Sequence, residues 1–193
     1  EWEFRLDEFP LFATQVGDHR RNDALGSHTL ESLERWHATQ CEFLERLEAI
    51  DREALDRAGR LNYDIFGRII RENIGEYRYQ THLLPITNRS GFHIHFPELP
   101  KRVPLVTLLD YRNYVARLRA FSRYADEHIE LMRAGIERGF TLPRVVLDGW
   151  EGAVEAHIVE DPEESLLYAP FTAISPEVPE SEHEGLREAG RAA

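Results

Sequence analysis

Nine histidines, one cysteine and a surplus of carboxylates are the side chains of this chain that could hold a metal or move protons. His183-Glu184-Gly185-Leu186-Arg187 has the first half of a zinc-peptidase helix, in which two imidazoles one turn apart bind the metal and the Glu acts as general base. Arg187 stands where the second imidazole belongs and would aim a cation at the metal, so the segment reads as an ordinary helix start. His93 and His95 alternate with Phe92, Ile94 and Phe96 as strand residues do, which predicts both imidazoles on one face. A third donor would make them a metal pair; the plainer reading is a polar or solvent-facing strand side, and a wall of a substrate cleft is the remaining alternative. His28, His37, His128 and His157 fall on or beside helical patterns, and three of them converging at one level of a core would make a metal-binding bundle. Cys41 lies within an amphipathic pattern with no activating neighbour in sequence, and no nucleophile elbow, phosphate loop or dinucleotide fingerprint is present. The residues therefore assign no catalytic group and no metal ligand.

The elements that must position these side chains are helical. Leu30, Leu33, Trp36, Phe43, Leu44, Leu47 and Ile50 recur at threes and fours, which predicts an amphipathic helix over 29–50 with Glu31/Arg35, Glu42/Arg46 and Glu48/Arg52 pairs on its outer face. Asp51 caps a short turn through Leu55, and a second helix over 60–81 turns Phe66, Ile69, Ile70, Ile74 and Tyr77 inward. The two form an antiparallel hairpin. Pro85, Pro97, Pro100 and Pro104 forbid a long helix next, and the Asn88-Arg89-Ser90-Gly91 turn predicts a small extended or β-hairpin excursion near 83–97. Thr107 with Asp110 forms a capping box for a helix whose inward stripe is Tyr111, Tyr114, Val115, Leu118 and Phe121. A further helix through Leu131, Met132 and Ile136 ends at Gly139. Pro143 opens another with a stripe of Val146, Leu147, Trp150, Val154 and Ile158. Residues 159–180 read as an irregular, acidic, Pro-containing stretch that wraps a surface, and a last helix starts near Pro179 or Ser181 without burying an apolar face. The expected class is all-α: a multi-helix array of antiparallel helices, either one helical domain over 1–193 or a segment of a larger helical protein.

Composition narrows the functions. The 193 residues are 42% hydrophobic, enough for a core, and carry a net charge of -12. Between Val145 and Leu186 lie eleven acids and no Lys or Arg, while no basic stripe exists to displace counterions from phosphates, which argues against nucleic acid as a partner. No run of about 18 apolar residues offers a membrane span. Glu1-Trp2-Glu3-Phe4 is neither a start methionine nor a basic leader, so the chain reads as trimmed in front; a cytoplasmic location is the default, and a secreted or lipid-anchored one stays open.

Four short signatures occur in order: Pro10-x-x-Ala13-Thr14-x-x-Gly17, Leu47-x-x-Ile50-Asp51-x-x-x-Leu55, Arg60-Leu61-x-Tyr63-Asp64 and Asp110-Tyr111-x-x-Tyr114-x-x-Arg117-Leu118. Their order and spacing resemble the amino-terminal region of the bacterial domain-of-unknown-function 885 family, over roughly Phe9 to Phe171. The resemblance implies a helical protein similar in architecture to neurolysin-like gluzincins, in which an amino-terminal half forms one wall of a channel and a second half holds zinc. No His-Glu-x-x-His occurs here, so no catalytic residue carries over; zinc belongs to the full-length protein and no cofactor to this chain.

The leading expectation is thus a helical scaffold and cleft-wall segment, not catalytic by itself, truncated before the metal site. It would meet substrate, peptides by the resemblance, through Tyr79, Arg89, His93 and His95. Its partner would be the missing carboxy-terminal half or another helical protein. The alternatives are a stand-alone helical interaction module whose acidic surface takes a basic partner, and the histidine-based metal-binding bundle. Each signature also has a scaffold reading: Gly17 a turn, Asp51 a cap, Tyr63 and Asp64 a helix start, Arg117 a salt bridge.

Overall fold

The computed structural model describes residues 1–193. Its helices are α1 (Trp2–Glu8), α2 (Pro10–Gln15), α3 (Leu30–Glu48), α4 (Arg57–Arg78), α5 (Phe92–His95), α6 (Leu108–Arg119), α7 (Phe121–Glu137), α8 (Arg144–Leu147), α9 (Trp150–Glu155), α10 (Ala169–Thr172) and α11 (Glu180–Arg191). Tight 3-10 turns occupy Arg52–Ala54, Thr81–Leu83, Phe96–Lys101 and Pro162–Glu164. No sheet forms, and the fold is all-α. The expected hairpin near 83–97 shrinks to one antiparallel bridge, Ile86 with Gly91. Beyond it Phe92–His95 winds as helix rather than strand. The physical reason is that Phe96 and Leu99, both buried, lie four and seven residues after Phe92, a helical spacing that outweighs the local alternation.

The chain divides into two compact units. The first comprises Glu1, His28–Pro85 and His128–Thr141. Thr29 caps α3 by accepting from the Ser32 amide, and Asp56 caps α4 by accepting from Gly59 at 2.7 Å. Glu48 with Arg71, Gln40 with Asn73 and His37 with Tyr77 meet in opposite order along the two helices, which makes α3 and α4 the expected antiparallel hairpin. Gly67 lets them close: a Cβ there would stand 3.1 Å from Leu47 Cδ2. That approach turns Gly67 and Ile70 into the seam and leaves Ile69 outside, against expectation. Ile50, also expected inward, is exposed. Glu48 pairs with Arg71 at 2.8 Å rather than with Arg52, whose guanidinium is taken by Asp64 and Glu53.

The second unit comprises Trp2–Ser27, Ile86–Glu127 and Leu142–Ala193. Its core gathers Tyr111, Tyr114, Val115 and Leu118 from α6 with Leu25, Phe96, Leu99, Tyr168, Phe171, Val178 and Leu186. The capping box of α6 is present, Thr107 accepting from the Asp110 amide and Asp110 from Thr107. Two expectations change here. Residues 159–180 do more than wrap a surface, because their turns deliver Tyr168, Phe171 and Val178 to the core, and α11 buries Leu186. The helix expected from Pro143 breaks into α8 and α9 at Gly149, whose φ of 85° is left-handed, and Ile158 is exposed.

Candidate functional site

Of the four residues expected to meet substrate, three belong to one turn of the second unit. Thr87 organises it: its amide donates to Ser90 O at 2.7 Å, and its hydroxyl accepts from the Arg89 and Ser90 amides. The Asn88 amide donates to Val146 O at 2.9 Å, which anchors the turn, and Gly91 at φ 141° redirects the chain into α5. Arg89 is therefore exposed on a fixed loop. His95 is exposed too, with Nε2 3.3 Å from Ser90 Oγ.

His93 is a correction to the shared-face reading. A helical turn points it away from His95, and it is only 7% exposed. Neither ring nitrogen meets a hydrogen-bond partner of ordinary geometry. Burial, then the neighbouring His95, lowers its pKa below the usual imidazole value, with the Thr87 backbone weakly opposing. Such a buried, unsatisfied ring costs stability. His93→Phe, similar in shape and free of polar atoms, is expected to raise unfolding free energy by about 1 kcal/mol at neutral pH, measured by urea denaturation. The gain should grow in acid: the lowered folded pKa means that stability is complete above about pH 6.5 and declines as pH falls through it, a loss that Phe does not suffer.

His95 lines a cavity of about 80 Å³ with Leu11, Gln15, Phe92, Phe96, Leu99, Arg102 and Tyr124. The floor is apolar, while the mouth offers an imidazole, a carboxamide and a guanidinium that Glu98 pairs with. Such a mouth can take a carbonyl or carboxylate, as a peptide presents. A larger open groove of about 290 Å³ in the same unit is walled by Phe96, Leu118, Phe121, Leu167 and Tyr168, with Arg191 at its edge. Tyr79 belongs to the first unit, where it stands exposed after the end of α4.

No three His, Cys, Asp or Glu side chains come together as a metal would require. His183 lies on α11 with Nε2 3.0 Å from Val178 O, so the residues around it do not fit a zinc site. The His28 and His128 rings meet in the first unit with centroids 4.4 Å apart and planes tilted by 39°, His37 stacks on Tyr77 instead, and His157 is exposed in the second unit.

The signature residues are built into two clamps. In the second unit Pro10 starts α2, and Gly17, at φ 90°, ends it in a Schellman turn: its amide donates to Thr14 O and that of Asp18 to Ala13 O. Arg117, 1% exposed, does not make the expected salt bridge. It donates to Ala24 O, Pro10 O, Arg21 O and Thr14 Oγ1 at 2.8–3.3 Å. Tyr114 donates to Leu167 O at 2.7 Å, and Tyr111 to Pro170 O. In the first unit Arg60 donates to Leu55 O and Glu53 O, and Asp64 receives Arg52 through two bonds of 2.8 and 2.7 Å. In both units, then, an arginine of one signature binds backbone carbonyls in or beside another. A family model, that of the bacterial protein of unknown function DUF885, matches residues 10–193. The chain belongs to this family. Most of the signature residues hold turns and helix ends in place, with Tyr114 and Arg117 in the interior, while Leu118 also walls the open groove. No curated protein and no solved structure matches the chain. No helix is long and apolar enough to cross a membrane.

Sequence reasoning missed the cavity beside His95. Leu11, Gln15 and Tyr124 come from segments far apart in the chain, and only the packed second unit brings them to Phe92 and Arg102.

Proposed function

We propose that this chain is the helical scaffold and cleft-wall segment of a zinc-dependent, peptidase-like protein, with no catalytic residue of its own, and that it packs against a metal-holding carboxy-terminal half or a helical partner. One observation carries the reading. Leu61, Ile65 and Ile69 form a line at four-residue spacing along α4, and they are 59%, 50% and 40% exposed. Three aliphatic side chains so aligned are suited to pack against another helical surface. The signature residues, spent on carbonyls and caps, support a scaffold role. In the second unit Arg89 and His95 are the exposed contacts for a peptide and His93 positions their turn from inside; in the first unit Tyr79, taken by itself, is the exposed contact.

A second reading, an interaction module for a basic partner, has its own support in the acidic stretch, where Glu151, Glu155, Glu160 and Glu164 are exposed. The natural gene product separates them. About one zinc per chain, with peptide cleavage that a chelator abolishes, is the expected result. In that product Ile65→Lys, which should alter this chain's own stability by no more than about 0.5 kcal/mol, is expected to lower zinc retention. A metal-free, inactive product that binds basic peptides in a salt-dependent way overturns the proposal in favour of the second reading.

A further inference from the structure

His37, Tyr77 and His82 form a column in the first unit. The His37 and Tyr77 centroids are 4.2 Å apart with planes 13° from parallel, and those of Tyr77 and His82 are 4.8 Å apart at 15°. Two rings stacked this closely on one phenol must take opposite faces, so Tyr77 is the middle layer. The Nδ1 atoms of both imidazoles are buried without a hydrogen-bond partner. From α3, Cys41 Sγ stands 3.9 Å from His37 Nε2; burial first, then Glu34 of the same helix, raises the Tyr77 pKa. From the end of α7 comes Arg138, which acts on Tyr77 and His82 and donates to Gln80 Oε1 at 3.1 Å.

Gln80 joins α4 to the Thr81–Leu83 turn at φ 58°, and it is the one residue other than glycine in the left-handed region. That conformation is unfavourable for a side chain with a Cβ and persists because its surroundings impose it. The column flanks it through Tyr77 and His82, and the Arg138 bond holds its side chain. A proton added to His82 would have no acceptor at Nδ1 and would face the cation of Arg138; Glu34, the acid in this group, acts at Tyr77.

We propose that the His37–Tyr77–His82 column is an acid-released latch, which holds the Thr81–Leu83 turn and its Gln80 hinge against α3 and α4 at neutral pH and frees them in mild acid. Its trigger is His82. Burial first, then Arg138 and His37, keep His82 below the usual imidazole pKa. The folded latch therefore accepts its proton only after the open form does, so its closing energy is complete above about pH 6.5 and is lost as pH falls through that value. This inference stands apart from the scaffold reading.

The test is amide hydrogen exchange at Leu83 and Leu84, which donate to Gln80 O and Thr81 O, corrected for intrinsic rates and compared at about pH 8 and about pH 5. In the wild type the protection of these amides is expected to fall several-fold in acid relative to those of α6. His82→Phe keeps the stack without a titrating group and should abolish the fall. Arg138→Gln removes the opposing cation and should reduce it, whatever its effect at pH 8. The change between the two pH values is the readout, since better packing alone would slow exchange equally at both. An equal fall in wild type and His82→Phe overturns the latch; should that variant not fold, an undiminished fall in Arg138→Gln does so.

Discussion

Replacing Arg117 by Met is expected to cost about 3–5 kcal/mol of unfolding free energy, more than any surface change in this chain. Methionine matches the length of the arginine stem, so little packing is lost. What goes is the guanidinium that serves Ala24 O, Pro10 O, Arg21 O and Thr14 Oγ1. Burial lowers the Arg117 pKa to about 10, with Asp23 countering, so the group remains charged at neutral pH and its hydrogen bonds are charge-assisted. Without it several carbonyls inside the unit keep their desolvation cost and lose their donor. Thr14 also donates, to Asn22 Oδ1 at 2.7 Å or to Pro10 O, so the loop over 18–25 loses its anchor. Urea denaturation should show the loss, and trypsin should cut faster after Arg20 and Arg21. Arg117→Lys, with a single ammonium for four acceptors, should recover only part. A destabilisation below about 1 kcal/mol with unchanged proteolysis would mean that the clamp carries no weight.

Phe171→Ala should cost about 3–5 kcal/mol, because the ring is 0% exposed and lies against Tyr111, Tyr114 and Tyr168 at centroid distances of 6.0, 5.8 and 5.3 Å. Its coupling to Gly190 makes the prediction sharper. A Cβ on Gly190 would stand 2.6 Å from two ring carbons of Phe171 and 2.9 Å from a third. Gly190→Ala should therefore destabilise by about 1–3 kcal/mol despite its better helix propensity. In the Phe171→Ala background the obstruction is gone, and the same substitution should become neutral or stabilising by up to about 1 kcal/mol. The four proteins form a double-mutant cycle readable by urea denaturation. Additive effects would show that α11 does not rest on Phe171.

Much of the helical layout was legible before folding because it is written in local chemistry. Thr107 and Asp110 announce a capping box, Asp51 a turn, and the stripe of Tyr111, Tyr114, Val115 and Leu118 a buried face, and all are found. The misreadings have a common cause. Phe92-His93-Ile94-His95-Phe96 alternates like a strand, yet a strand needs a neighbour to pair with, and beyond the Ile86–Gly91 bridge none exists. Ile50, Ile69 and Ile158 fit inward stripes by period, but period names a line of residues and not the element that covers it. Gly149 looked compatible with a helix until its left-handed φ broke one.

The candidate site was less legible still. Arg89 and His95 stand out as exposed groups on a turn, as their residue types allow, while the burial of His93 depends on how a single helical turn is packed. The amino-acid sequence by itself determined the all-α class, the capping box that starts α6 and the signatures by which the chain resembles DUF885, the family that it matches. Those follow from caps, glycines and spacing within a few residues of each other. Only the tertiary structure decided that Arg117 serves carbonyls instead of a carboxylate, that His37, Tyr77 and His82 stack, and that a cavity opens beside His95. These join residues tens of positions apart, and their energy comes from burial and from the pairing of polar groups across elements, which no local pattern encodes.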